Sequence, residues 1–102
     1  MVDTLQTYYF VAASRRFLCE EEPLAESLAE RERNYQVRGK ERDFWLIESP
    51  PFLERPELAA LAQKVPRPAA AVVSTDPDVI RWLKLRLAFV VTGEFQASQP
   101  QG

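Results

Sequence analysis

The last third of the chain carries an amphipathic pattern that strongly constrains the fold. From residue 76 to 92, apolar side chains recur with the spacing of an α-helix, about 100° per residue. This surface is too wide for one small core, so it predicts a helix that is either covered on several sides or partly open to another protein. Its face consists of Val79, Ile80, Leu83, Leu87, Val90 and Val91, widened at the side by Trp82, Leu85 and Phe89.

Arg86 lies inside this apolar arc, between Trp82 and Val79 on the helical wheel. A guanidinium in an apolar setting needs a partner for its charge and its donors. Asp43 opens a strand predicted over residues 43–48, and we hypothesise that these two side chains form an ion pair. Such a pair would be either a link between helix and sheet or part of an interaction surface.

Composition limits the class of protein. A length of 102 residues is that of one domain, and a net charge of −2 without a basic block argues against nucleic-acid binding. No apolar run approaches the roughly 20 residues of a membrane span, and the first ten residues lack the pattern of a signal peptide. Cys19 is the one cysteine, which fits a reducing compartment. We therefore expect a single soluble domain.

The sequence contains no histidine and no glycine-rich phosphate loop. This excludes Ser–His and Cys–His nucleophile pairs and the Glu-x-x-His pattern of di-iron helices. Glu22, Glu26 and Glu30 recur every four residues, but without histidine they are more typical of a solvated helix face than of a metal site. We expect no enzymatic activity, no metal and no cofactor.

Hydrophobic periodicity and breaker residues predict three strands, at 7–13, 43–48 and 69–74, and three helices, at 23–38, 56–64 and 76–92. Gly39 and Gly93 are predicted to end the first and last helices. Residues 1–95 would form the domain, and residues 96–102 a disordered tail. The order of elements allows either a parallel α/β layer or an α+β sheet, and periodicity does not decide between them.

Several ordered blocks within residues 7–95 resemble a known family. They include Tyr8-Tyr9, Asp43-Phe44-Trp45-Leu46, Pro51-Phe52-Leu53-Glu54 and Trp82-Leu83-Lys84-Leu85-Arg86-Leu87. The chain is similar to the small hypothetical chloroplast reading-frame (Ycf) family of cyanobacteria and plastids, whose members assist the aerobic magnesium-protoporphyrin IX monomethyl ester cyclase. The resemblance implies an α+β fold, a compact antiparallel sheet of three to four strands flanked by helices.

The resemblance also implies a role as an accessory or assembly subunit of this cyclase in chlorophyll biosynthesis. The partner would be the catalytic di-iron subunit, which holds the iron. The protein would lie in the cytoplasm of a cyanobacterium or in the plastid stroma, and would reach the thylakoid membrane only through that partner. A tetrapyrrole carrier that delivers substrate to the cyclase is the alternative, and weak self-association through an open apolar patch is also compatible with the pattern.

The partner-contact surface of the family is associated with residues that match Asp43, Phe44 and Arg86 here. The wide apolar helix adds Trp82 and Phe89 as further contacts for the partner. In this hypothesis the aromatic side chains supply the apolar contact area, and the two charged groups set the orientation of the complex.

Overall fold

Four antiparallel strands form the centre of the molecule in the computed structural model, which describes residues 5–21, 24–87 and 90–100. The strand bounds are Gln6–Ser14 for β1, Phe44–Glu48 for β2, Ala69–Ser74 for β3 and Val91–Ala97 for β4. The strands lie in the order β2-β3-β1-β4, and every neighbouring pair is antiparallel. This arrangement confirms the α+β class and excludes the parallel alternative.

The two central strands are apolar on both faces. All six residues of β3 are buried, and Phe10, Val11 and Ala12 of β1 have no exposed surface. A strand buried on both faces needs a covering layer on each side. The interpretation of β1 as an interior strand is therefore confirmed.

Helices cover both faces of the sheet. On one face lie α1 (Leu24–Val37) and α3 (Pro77–Arg86), which pack with Val11, Val72 and their neighbours into one core cluster. On the other face lie two 3₁₀ turns, Pro51–Glu54 and Pro56–Leu58, followed by the short helix α2 (Ala59–Ala62), which pack with Phe10 and Phe95 into a second core cluster.

The end of α1 follows the predicted glycine stop. Gly39 adopts a left-handed conformation with φ of 68°, which glycine reaches without a Cβ penalty. The N–H of Lys40 donates to the carbonyl of Tyr35 at 2.8 Å, so one of the last free carbonyls of the helix is satisfied. This turn leads the chain from α1 into the edge strand β2.

The predicted last helix is too long. α3 ends at Arg86, and the chain continues into β4 instead of reaching residue 92 as a helix. The physical reason is a change of period, because Phe95 and Ala97 point into the core and alternate with the exposed Glu94 and Gln96. Gly93 is accordingly a strand residue that pairs with Phe10, and its prediction as a helix stop is wrong.

β4 also extends past the boundary predicted for the domain. Gln96 and Ala97 belong to the strand, where the sequence pattern predicts the start of a disordered tail. Glu22 and Phe89, named in the predictions above, lie outside the described residues.

Removal of the N-cap of α3 should destabilise the protein measurably. The Asp76 carboxylate accepts a hydrogen bond from the backbone N–H of Asp78 at 2.9 Å, so we expect Asp76→Ala to lower the free energy of unfolding by about 0.5–2 kcal/mol. Asp78→Ala is the matched control, because it removes the same charge from the same helix end but leaves the cap. It also removes the ion pair with Arg81, which is highly exposed and therefore contributes little to stability. Equal free energies of unfolding for the two variants, measured in urea, would contradict this role of Asp76.

Candidate functional site

α1 and α3 lie on the same face of the sheet and enclose an open groove of about 400 Å³. We call it the α1–α3 groove. Four of its lining residues come from one side of α1, one comes directly after α1, and two come from the last turns of α3. They are Ser27, Glu30, Arg31, Asn34 and Arg38, with Trp82 and Arg86. Two of the residues predicted to bind a partner, Trp82 and Arg86, therefore line one groove.

Arg31 connects the two helices across this groove. Its guanidinium carbon lies 5.0 Å from the centre of the Trp82 ring on α3 and 5.4 Å from the centre of the Tyr35 ring on its own helix. Its Nε also donates a hydrogen bond to the Tyr35 hydroxyl at 3.3 Å. Cation–π contacts of this kind are worth about 0.5–1 kcal/mol each at exposed sites, so Arg31 and Trp82 hold each other in place.

Tyr35 joins the α1–α3 groove to the start of β2. Its ring is buried and packs edge-on against Phe44, with the ring centres 5.5 Å apart. The Lys40 ammonium lies 4.5 Å from the centre of the same ring, and the Arg38 guanidinium carbon 5.9 Å from it. A shift of Phe44 or Lys40 would therefore be transmitted to the cations of the groove through this one ring.

Asp43 and Phe44 are more buried than expected for residues predicted to contact a partner. Phe44 is only 1% exposed and belongs to the core cluster beneath α1 and α3. Asp43 is half-buried, its Oδ2 lies 3.5 Å from Nζ of Lys40, and its backbone carbonyl accepts a hydrogen bond from the N–H of Thr75. The Phe44 ring thus has no surface to offer a partner, and both residues support the surface around Tyr35.

Arg86 is exposed at the last position of α3, and the expectation of a guanidinium inside an apolar arc is wrong. The arc was too wide because Val90 and Val91 do not belong to the helix. In the described part of the chain, the Arg86 side chain has no ion pair, hydrogen bond or ring contact. It is an open donor group beside Trp82.

The hypothesised ion pair between Asp43 and Arg86 does not occur among the described residues, because the carboxylate of Asp43 faces Lys40. Its other oxygen, Oδ1, is buried without a hydrogen-bond partner in that same part of the structure. The link between Asp43 and the α1–α3 groove runs through Lys40 and Tyr35 instead. The hypothesised pair is therefore replaced by the contact of Asp43 with Lys40.

Sequence reasoning missed Arg31, Tyr35 and Arg38 as parts of this site. Their signal was weak, since α1 reads as an ordinary surface helix with charged residues on its outer side. The spacing of Arg31, Tyr35 and Arg38, four and three residues apart, does place them on one side of a helix. Only the position of α3 shows that this side meets Trp82.

Residues 5–21, 24–87 and 90–100 show neither a metal-binding cluster nor a helix that could span a membrane. No group of three or more Cys, Asp or Glu side chains comes together there in a way that could hold a metal ion. None of the helices described there has the length and apolar character to cross a membrane. The α1–α3 groove is the candidate site because it contains Trp82 and Arg86, two of the residues predicted to bind a partner.

The fold and the groove define a class: a small α+β protein with one antiparallel sheet and a cationic, aromatic groove between two helices on one face. Comparison with known proteins identifies the family. A family model described as Ycf54 protein matches residues 6–97, and this chain belongs to the Ycf54 family.

Relatives of the chain occur in cyanobacteria and in a plant chloroplast. A Ycf54-like protein of Synechocystis sp. PCC 6803 is 50% identical over 93 residues, which are 91% of this chain and 70% of the relative. A chloroplastic YCF54 protein of Arabidopsis thaliana is 39% identical over 89% of this chain and 43% of its own length. The solved structure of the Synechocystis sp. PCC6803 Ycf54 protein, 45% identical, superposes with a TM-score of 0.92 over 97% of each chain.

Proposed function

We propose that this protein is a non-catalytic accessory subunit of the magnesium-protoporphyrin IX monomethyl ester cyclase, and that it acts by binding the catalytic di-iron subunit. The link to the cyclase comes from the sequence resemblance. The observation that supports a binding role is the open guanidinium of Arg86 beside Trp82, in a groove whose other arginines also lack carboxylate partners among the described residues. Tryptophan and arginine are the residue types most enriched at energetically important positions of protein interfaces.

Binding alone would be sufficient for such a role. A protein that binds the folded form of its partner raises the folded fraction by mass action, without contributing a catalytic group. The chain would then increase the amount of assembled cyclase. It would be held at the thylakoid membrane by that contact, in a cyanobacterium or in a plastid.

The partner can be identified by affinity recovery. The tagged chain would be expressed in a chlorophyll-making cell and purified from detergent-solubilised membranes, with an untagged strain as the control. We expect the cyclase catalytic subunit to be enriched with the tagged chain only. Equal amounts in both preparations would contradict the proposal.

Loss of the protein should lower the abundance of its partner. In a strain that lacks this chain, we expect the cyclase catalytic subunit to fall several-fold at unchanged transcript level, because the unbound subunit is more open to degradation. Quantitative immunoblotting against the wild-type strain measures this effect. Normal abundance with reduced chlorophyll would contradict stabilisation and leave a role in turnover.

A tetrapyrrole carrier is the second candidate, because a planar ring such as Trp82 and nearby arginines also suit a flat molecule with carboxylate groups. None of the described residues that line the groove is a histidine or cysteine, the side chains that most often coordinate a tetrapyrrole metal. Absorbance titration of the isolated chain with a magnesium porphyrin discriminates the two candidates. Saturable binding that Arg86→Ala abolishes would favour the carrier.

A further inference from the structure

The arginines of the α1–α3 groove differ from most other arginines of the protein because they have no carboxylate partner among the described residues. Outside the groove, five of the seven arginines have a carboxylate within 3.8 Å: Arg15, Arg42, Arg55, Arg67 and Arg81. The three arginines that line the groove have no ion pair in the described part of the chain, although Glu30 lies in the same lining. The groove therefore concentrates positive charge on a protein whose net charge is −2.

The ring contacts in the groove hold these cations without neutralising them. Arg31 lies against Tyr35 and Trp82, and Arg38 lies against Tyr35. A cation–π contact leaves the in-plane N–H groups of a guanidinium free, apart from the Nε of Arg31, which Tyr35 uses. The free N–H groups form a fork that matches a carboxylate in two parallel hydrogen bonds.

An exposed apolar residue lies one helical turn from Trp82 on α3. Leu85 is 85% exposed and follows Trp82 by three residues on α3, so the two lie on neighbouring turns of one side of the helix. This leucine extends the apolar surface of the half-buried Trp82, although it does not itself line the groove. The surface therefore combines apolar and cationic groups within two turns of helix.

From this concentration of arginines without carboxylate partners among the described residues, we propose that the α1–α3 groove binds an acidic segment of the partner protein, one in which at least two Asp or Glu side chains flank an apolar residue. The carboxylates pair with Arg31, Arg38 and Arg86, and the apolar residue packs on Trp82 and Leu85. The proposal rests on the proposed function, because it specifies which part of the cyclase subunit the groove contacts. A protein segment fits better than a polyanion, since the cations are confined to one groove and the chain has no basic block.

Charge reversal at a groove position tests the proposal against a matched control. Arg38 and Arg33 are both exposed, both on or directly after α1, and both without an ion pair in the described residues, but only Arg38 lines the groove. Arg38→Glu and Arg33→Glu change the net charge equally. We expect Arg38→Glu to weaken binding of the detergent-solubilised cyclase subunit at least about tenfold, and Arg33→Glu less than about twofold.

The neutral variant Arg38→Gln provides a second measurement, with thermal melting to show that each variant is folded. It should fall between wild type and Arg38→Glu, and added salt should weaken the wild type more than Arg38→Gln. If the wild type binds and Arg33→Glu and Arg38→Glu weaken binding equally, the acidic-segment proposal is overturned and the proposed function is not. Absence of wild-type binding would overturn the proposed function and this inference with it.

Cross-linking identifies the bound segment directly. A photoreactive amino acid at Ser27, in the groove, is compared with one at Gln63, which lines a separate depression around α2. We expect Ser27 to cross-link the cyclase subunit within a segment rich in Asp and Glu, and Gln63 not to do so. Cross-links from Ser27 to a segment without carboxylates would overturn the proposal.

Discussion

Replacement of Phe44 by alanine is expected to lower the free energy of unfolding by about 3–5 kcal/mol, the usual cost of truncating a buried phenylalanine. The ring is 1% exposed, packs edge-on against Tyr35 and has the Arg42 guanidinium carbon 5.5 Å from its centre. Its loss would leave a cavity beneath α1. Urea unfolding followed by circular dichroism measures the change, and Leu46→Ala is the matched control on the same face of β2, where the side chain is only half-buried. A loss below that of Leu46→Ala would contradict the burial of Phe44.

A second substitution at Phe44 distinguishes a ring that only supports the α1–α3 groove from a ring that contacts the partner directly. Phe44→Leu keeps an apolar side chain in the core, and we expect it to fold and to retain most of the partner affinity. Loss of binding in Phe44→Ala would then follow from a displaced Tyr35 and from unfolding. A folded Phe44→Leu variant that no longer binds the partner would show that the ring itself reaches the interface.

Gly93→Ala is expected to destabilise the protein by about 1–3 kcal/mol, and Gly93→Val by more, because both overpack the core. A Cβ at this position would lie 2.7 Å from Cζ and 2.9 Å from Cε2 of Phe10. The flexible end of Leu61, 2.8 Å away, could move, but the Phe10 ring is fully buried and packs against Phe52 with ring centres 4.8 Å apart. The clash outweighs the roughly 0.4–1 kcal/mol that a glycine-to-alanine change can contribute through the unfolded chain.

The control for this prediction is Thr92→Ala, an exposed change one residue away in β4, which should stay within about 0.5 kcal/mol of the wild type. Thermal or urea unfolding of both variants compares them directly. Equal stability of Gly93→Ala and Thr92→Ala would mean that Phe10 can give way, and would contradict the packing described here.

Gly93 also illustrates what the sequence could predict of the fold. The strands at β1, β2 and β3 and the glycine end of α1 follow from local signals, namely β-branched or aromatic runs and breaker residues. The boundary between α3 and β4 does not, because residues 87–91 are apolar under either a helical or a strand period. The alternation at Val91, Gly93, Phe95 and Ala97 was present, but it competed with a helix that seemed to continue.

The sequence predicted only those parts of the site that depend on spacing within one helix. Trp82 and Arg86 lie four residues apart on one helix, so the pattern placed them together correctly. The partners that complete the groove, Arg31 and Arg38, come from another helix and depend on how α1 packs beside α3. The pattern pairs Asp43 with Arg86 because Arg86 is the unpartnered cation of the predicted helix and Asp43 opens the predicted strand. In the structure, Lys40, which directly follows the turn at Gly39, is the cation beside Asp43. Phe89 lies outside the described residues, and its role stays a prediction.

Binding of the cyclase catalytic subunit by the α1–α3 groove can be tested by comparing two arginines of α3. Arg86 lines the groove without a partner in the described residues, whereas Arg81 does not line it and pairs with Asp78 at 2.9 Å. The measurement is the Kd of wild type, Arg86→Ala and Arg81→Ala for the detergent-solubilised subunit, with melting curves to confirm that all three are folded. We predict that Arg86→Ala binds at least about tenfold more weakly, about 1.4 kcal/mol, and that Arg81→Ala matches the wild type. Equal affinities for all three proteins would contradict the claim and place the interface elsewhere.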